Sequence, residues 1–167
     1  RLETLILSLF SLLFYAWDEP IWLFLLLISI VSNYLFAHKI YKDNRKYILI
    51  IGIIFNISLI AWFKYRYFIA NTILGSNLEN NLFIPLAISF FTFQQIAFLV
   101  DIYDKSIKPL KFLDHLFFVS FFPQLIAGPI VLAKDIVPQI NKMKDKKILN
   151  SFILGIFIFF VGLFKKV

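Results

Sequence analysis

Cysteine is absent from the 167 residues, which excludes disulfides, thiolate-ligated zinc, a cysteine nucleophile and palmitoylation within this stretch. Charge is scarce too: 16% of residues are charged against 60% apolar, with 22 phenylalanines and a mean hydropathy of +0.83. A soluble fold of this size must cover itself with polar side chains, and too few are present to do so. The composition is that of an integral membrane protein. Histidine occurs only as His38 and His115, without carboxylates at metal-ligand spacing, so no metal site is expected. A phosphate-cradling glycine loop, a serine elbow and a dinucleotide fingerprint are also missing.

The charges that do occur are informative by their placement. Seventeen basic residues against ten acidic ones give a net charge of +7. They form neither one long run nor one amphipathic face, so nucleic acid is not an expected partner; they sit between apolar runs, where they act as topology signals.

Apolar runs at residues 2–17, 21–37, 47–63, 82–100 and 148–163 predict about five transmembrane helices. The fold expected is therefore all-α and polytopic, a single membrane domain over residues 1–167, with the lipid bilayer as its first partner. Pro20 suits the first turn of the second helix, where its missing N–H costs nothing. Lys39, Lys42, Arg45 and Lys46 predict a cytoplasmic turn, and the acidic Asp18–Glu19 turn an external one. The 101–111 segment returns to the cytoplasmic side, and residues 134–147 read as a strongly basic loop. Asparagine-rich residues 71–81 have loop composition.

Residues 112–131 depart from this pattern. The run is short and is interrupted by Pro123 and by Gly128-Pro129, so a broken or re-entrant helix is expected. Backbone groups freed at membrane depth commonly surround a ligand or ion; a bare structural kink is the plainer reading. Gln94 and Gln95 lie about 100° apart on one helix. Either one of them lines a substrate path, or both bind neighbouring helices by side-chain hydrogen bonds. His38 and His115 both fall near predicted interfaces, where a solvated histidine needs no special role, and Asp101 reads as a boundary charge.

Residues 85–95 (PLAISFFTFQQ), the VDIY of Val100–Tyr103 and residues 121–130 (FFPQLIAGPI) resemble the membrane-bound O-acyltransferase superfamily, in particular its bacterial alginate and peptidoglycan O-acetyltransferase branch. Supporting matches are Phe14-Tyr15-Ala16-Trp17, Trp62-Phe63-Lys64-Tyr65 and Gly162-Leu163-Phe164-Lys165-Lys166. The resemblance implies transfer of an acyl group, acetyl above all, from a cytoplasmic thioester to a hydroxyl of an extracytoplasmic polysaccharide. It implies an inner-membrane, multi-pass location, no bound cofactor, and acetyl-CoA or an acyl carrier as the donor substrate. It also implies that the catalytic histidine is found downstream of Val167, in a C-terminal half, since no Trp-His pair occurs here. Residues 1–167, which begin with Arg1, are then an N-terminal portion without catalytic residues of their own. That half, and a periplasmic or extracellular acetyltransferase, are the further expected partners. Gln94, Gln95, Gln124, Gly128 and Pro129 are the candidates for lining the substrate path. Transfer of D-alanine to teichoic acid and a non-catalytic transporter or channel are the alternatives.

Overall fold

A computed structural model describes residues 2–17, 19–68, 71–72, 84–126, 131–142 and 148–166, and these are helical without strands. Helix α1 spans Leu2–Ala16, α2 Pro20–Asp43 and α3 Lys46–Ile60, the last running through one π-helical turn, Ala61–Tyr65, into the short α4, Arg66–Phe68. After residues outside the description come α5 (Ile88–Tyr103), α6 (Phe112–Ser120), α7 (Phe122–Ile126), α8 (Ala133–Lys142) and α9 (Ile148–Lys166).

Two of these helices are long and apolar enough to cross a bilayer: Pro20–Asp43, about 36 Å at 1.5 Å per residue, and Lys46–Tyr65, about 30 Å. Helices α1 and α5 are apolar but shorter. Two sequence expectations need correcting here. The second helix outruns its apolar segment by six residues, because His38–Asp43 continues the helix in polar residues until Asn44 ends it in a left-handed cap (φ 48°), its N–H bonded to the Ile40 carbonyl at 2.8 Å. The basic stretch expected as a loop is helical through Lys142, because Ile136, Val137 and Ile140 recur at helical spacing among polar neighbours. Residues 73–81 of the expected asparagine-rich loop lie outside the description.

The chain divides into two compact units, residues 1–137 and 138–167. The second contains α9, apolar from Phe152 to Phe164 and ending in Lys165-Lys166. In the first, Leu26, Ile30, Ile40, Phe91, Phe98, Leu99, Ile102 and Phe118 form a closed core. Five contacts fix the helix directions. Gln95 on α5 meets Ser29 on α2, and Leu99 sits beside Gly52 on α3, which also faces Phe36 on α2, so α5 runs parallel to α2 and antiparallel to α3. Gln94 meets Phe118, and Phe98 meets His115, so α6 runs back along α5.

These directions sort the charges. Lys39, Lys42, Arg45 and Lys46 share one end of the bundle with Lys105, Lys108 and Lys111. At the other end, Trp22 packs edge-on against Phe63, 5.6 Å between ring centroids, which puts the Glu19 turn and Lys64 at that same end.

Gly52 makes the α3–α5 contact possible. A Cβ built there would lie 2.7 Å from Leu99 Cδ1 and 3.6 Å from the Phe36 ring, closer to leucine than any real Cβ packs. The missing side chain lets the two helices approach, the usual role of small residues between membrane helices.

Candidate functional site

The site is built from α5 upward. Pro85 is buried, and the chain turns through Leu86 and Ala87 before the helix starts at Ile88, three residues after the proline. Ala87 takes a left-handed conformation (φ 58°), which costs an alanine about 1 kcal/mol or more. Packing must offset that cost. Tyr15 on α1 contributes by donating its hydroxyl to the Leu86 carbonyl at 2.9 Å, which ties the turn to the first helix.

From that start α5 points its two amides in different directions. Gln94 is 5% exposed and donates to the Phe118 carbonyl on α6 at 3.1 Å. Gln95 is fully buried and donates to the Ser29 hydroxyl on α2 at 2.9 Å, while its Oε1 has no partner among the described atoms. Both glutamines thus join helices.

The Gln95 bond opens onto a longer polar seam. Asn33 donates to the Ser29 carbonyl at 2.9 Å and to Asn56 Oδ1 at 3.2 Å; Asn56 donates to Asn33 Oδ1 at 2.7 Å and to the Gly52 carbonyl at 2.8 Å. All of these side chains are buried. The seam runs from α5 through α2 to α3 and places amide chemistry in an otherwise apolar core.

The interruption between α6 and α7 is where the backbone departs from regularity. Phe121 leaves the helical region (φ −56°, ψ 106°), although its N–H still reaches the Phe117 carbonyl at 3.0 Å. The Phe122 N–H turns instead to the Ser11 hydroxyl on α1 at 3.4 Å. Phe122 also meets Phe14, one turn along α1, at 5.2 Å between ring centroids. The Gln124 and Leu125 N–H groups both return to the Phe121 carbonyl, at 3.1 and 2.9 Å. The broken helix expected from Pro123 is present, and neighbouring side chains take up the groups it frees.

Of the sequence candidates, Gln94 and Gln95 are therefore buried on α5, and Gln124 is partly exposed on α7. Gly128 and Pro129 lie outside the described residues, as does Val167, the position beyond which the sequence reading expects the catalytic histidine. His115 is where the sequence reading fails: it is completely buried instead of solvated, 4.7 Å from Phe98, 6.1 Å from Tyr34 and 6.5 Å from Phe118 between ring centroids. The antiparallel run of α6 along α5 carries it inward from the interface. Both ring nitrogens are buried without a hydrogen-bond partner among the described residues. His38 is exposed as expected, with Nδ1 3.0 Å from the Tyr34 carbonyl. Asp101 lies inside α5, half-buried, and its carbonyl accepts the Ser106 N–H at 3.0 Å. Among the described residues no three His, Cys, Asp or Glu side chains gather at a metal site.

Known proteins bear on this arrangement. The chain is 43% identical to a peptidoglycan O-acetyltransferase of Helicobacter pylori, across 96% of its own length and 37% of that protein's. It is 30% identical to a probable alginate O-acetylase AlgI of Pseudomonas aeruginosa, across all of its length and 34% of the relative's. The chain is homologous to the O-acetylating branch of the membrane-bound O-acyltransferases. A third such relative, the probable AlgI of Pseudomonas syringae pv. tomato, is 29% identical over the whole chain. The chain spans about a third of the length of the curated relatives it matches. No family model and no solved structure matches it.

With this O-acyltransferase kinship and its apolar helices, the chain is a membrane protein. Two of the motifs that carried the resemblance come close in the fold: residues 85–95 form the strained turn and the first half of α5, and their Gln94 bonds Phe118 on α6, three residues before the interruption that opens residues 121–126. Sequence reasoning missed Ser11, Ser29, Asn33 and Asn56. Asn33 and Asn56 carried the same signal as the glutamines, a lone amide inside an apolar run; the two serines carried none, because serine is unremarkable on a membrane helix.

Proposed function

We propose that this chain forms part of the membrane body of an O-acyltransferase. The full protein passes an acyl group, acetyl in the first instance, from a cytoplasmic thioester to hydroxyls of a cell-envelope or exported polysaccharide. The observation that carries the reading is kinship over essentially the whole chain with proteins named for O-acetylation of peptidoglycan and alginate. The basic end of the bundle faces the cytoplasm on this reading, by the excess of lysine and arginine there, and about five spans cross the inner membrane.

Transfer between compartments needs a route that keeps bulk water from the thioester while a base deprotonates the attacking hydroxyl. Gln94, Gln95 and Gln124 are suited to line such a route, as amides on helices that meet at an interruption in the backbone. Gly128 and Pro129 belong to the same motif. The base itself lies downstream of Val167, in the C-terminal half of the protein, and acetyl-CoA or an acyl carrier is the donor; nothing needs to stay bound as a cofactor. A periplasmic or extracellular acetyltransferase is a fitting partner for the final step.

The test is chemical. Cells making the complete gene product should carry base-labile acetyl esters on an envelope or exported polysaccharide, and cells lacking it should not. D-alanyl esters in their place would move the reading to the teichoic-acid branch. Loss of a transported solute without any change in esters would overturn it in favour of a transporter. Purified residues 1–167 should transfer no acetyl group from a thioester; turnover by this region alone would refute the division of labour.

A further inference from the structure

A proline at position 123 removes a single helical hydrogen bond, the one its own missing N–H would have made to the Val119 carbonyl. The interruption is wider than that. In a continuous helix the Phe122 N–H would reach back to the Phe118 carbonyl, four residues earlier. Here the two halves of that bond point away from each other, and each is met by a side chain from a different helix. Gln94 Nε2 donates to the Phe118 carbonyl at 3.1 Å, and Ser11 Oγ accepts the Phe122 N–H at 3.4 Å. Ser11 is free to accept because its own proton is committed to the Leu7 carbonyl at 2.8 Å. Both side chains are buried, Gln94 at 5% and Ser11 at 1% exposure, so water does not compete for the freed groups.

We propose that Ser11 and Gln94 are positioning residues that together hold the α6–α7 interruption open, each occupying one half of the backbone bond that would otherwise close it. The alternative state is concrete. If Phe122 N–H and Phe118 C=O rejoined, α6 would continue one turn further, and α7 with Gln124 would swing about Phe121. A backbone group left unpaired at membrane depth is costly, because lipid offers it no hydrogen bond, so removing either brace favours closure. The two braces come from the first helix and from α5, and the Phe14–Phe122 ring contact adds to the first. The functional part of the inference rests on the proposed acyl-transfer route, whose wall α7 would form.

The experiment uses the complete gene product in its membrane, with any cysteine outside this region replaced; residues 1–167 contain none. Spin labels at Lys111→Cys and Gln124→Cys report the angle across the interruption by their separation. Ser11→Ala and Gln94→Met each delete one brace at nearly constant volume. Both should shift or broaden the distance distribution, and in the unlabelled protein both should lower acetyl-ester formation by roughly tenfold, as expected when a misplaced wall residue spoils positioning. Ser11→Thr keeps the hydroxyl and should restore both readouts, which a general loss of stability would not do. Unchanged distances in Ser11→Ala and Gln94→Met overturn the brace. A shifted distance with undiminished transfer leaves the brace standing and overturns the route. Should Gln94→Met fail to accumulate, the pair Ser11→Ala and Ser11→Thr decides the matter alone.

Discussion

Among the described residues the fold buries two pairs of amides, and it uses them differently. Asn33 and Asn56 close on each other: each side chain donates once to its partner and once to a carbonyl four residues back on its own helix, Ser29 or Gly52. Gln94 and Gln95 sit side by side on one helix and reach outward to two others, one to a backbone carbonyl at an interruption, one to a hydroxyl, with Gln95 Oε1 left over. A closed pair can only fasten α2 to α3. An open pair can support an irregular backbone and keep spare hydrogen-bonding capacity next to it, which is what a functional wall requires.

The sharpest way to break the comparison is at the glycine between the pairs. Gly52 gives its carbonyl to Asn56 and its empty side to Leu99, so one substitution should disturb both regions. Gly52→Val puts a branched side chain where even a Cβ would come within 2.7 Å of Leu99 Cδ1. A loss of about 2–3 kcal/mol is expected, read as a lowered Tm in detergent, with Leu99→Ala recovering part of it. An unchanged Tm would mean that α3 and α5 are not held this closely.

A smaller effect should separate the pairs themselves. Asn33→Leu strands the Asn56 amide in an apolar interior, for about 1–2 kcal/mol. Adding Asn56→Leu should return part of that loss, because the orphaned group disappears with its partner. Gln95→Met should cost less, since the Ser29 hydroxyl oxygen loses only an accepted hydrogen bond and the Gln95 Oε1, which has no partner among the described residues, disappears with it. Equal losses for Asn33→Leu and Gln95→Met would erase the distinction between closed and open pairs.

How far this was legible in the sequence follows from what each signal measures. Apolar runs and Pro20 located α1, α3 and the start of α2 to within a few residues, because helix starts and membrane spans leave local marks, while the polar last six residues of α2 carried no such mark. Pro123 announced an interruption but not its width, since Ser11 lies 111 residues from Phe122 and no local pattern joins them. The start of α5 was misread for a similar reason: the apolar run from residue 82 includes Pro85, and the helix waits until Ile88, beyond a turn that Tyr15 fastens from another helix. Gln94 and Gln95 stood out because an amide in an apolar run needs a partner; which partner was a tertiary fact.

The smallest expected effect has the opposite sign and concerns His115. Its ring is wholly buried against Phe98, and neither nitrogen has a hydrogen-bond partner among the described residues, so it brings two polar atoms into the core without return from them. His115→Phe keeps an aromatic of nearly the same shape among Tyr34, Phe98 and Phe118 and removes both atoms. If the histidine only fills space, Tm should rise, corresponding to about 1 kcal/mol, and transfer by the complete gene product should not change. If acetyl-ester formation collapses while Tm rises, then His115 is kept at a cost in stability for its chemistry. The amide pairs would then no longer be the whole of what this region contributes to the route: a ring one turn along α6 from Phe118 would share that wall with Gln94.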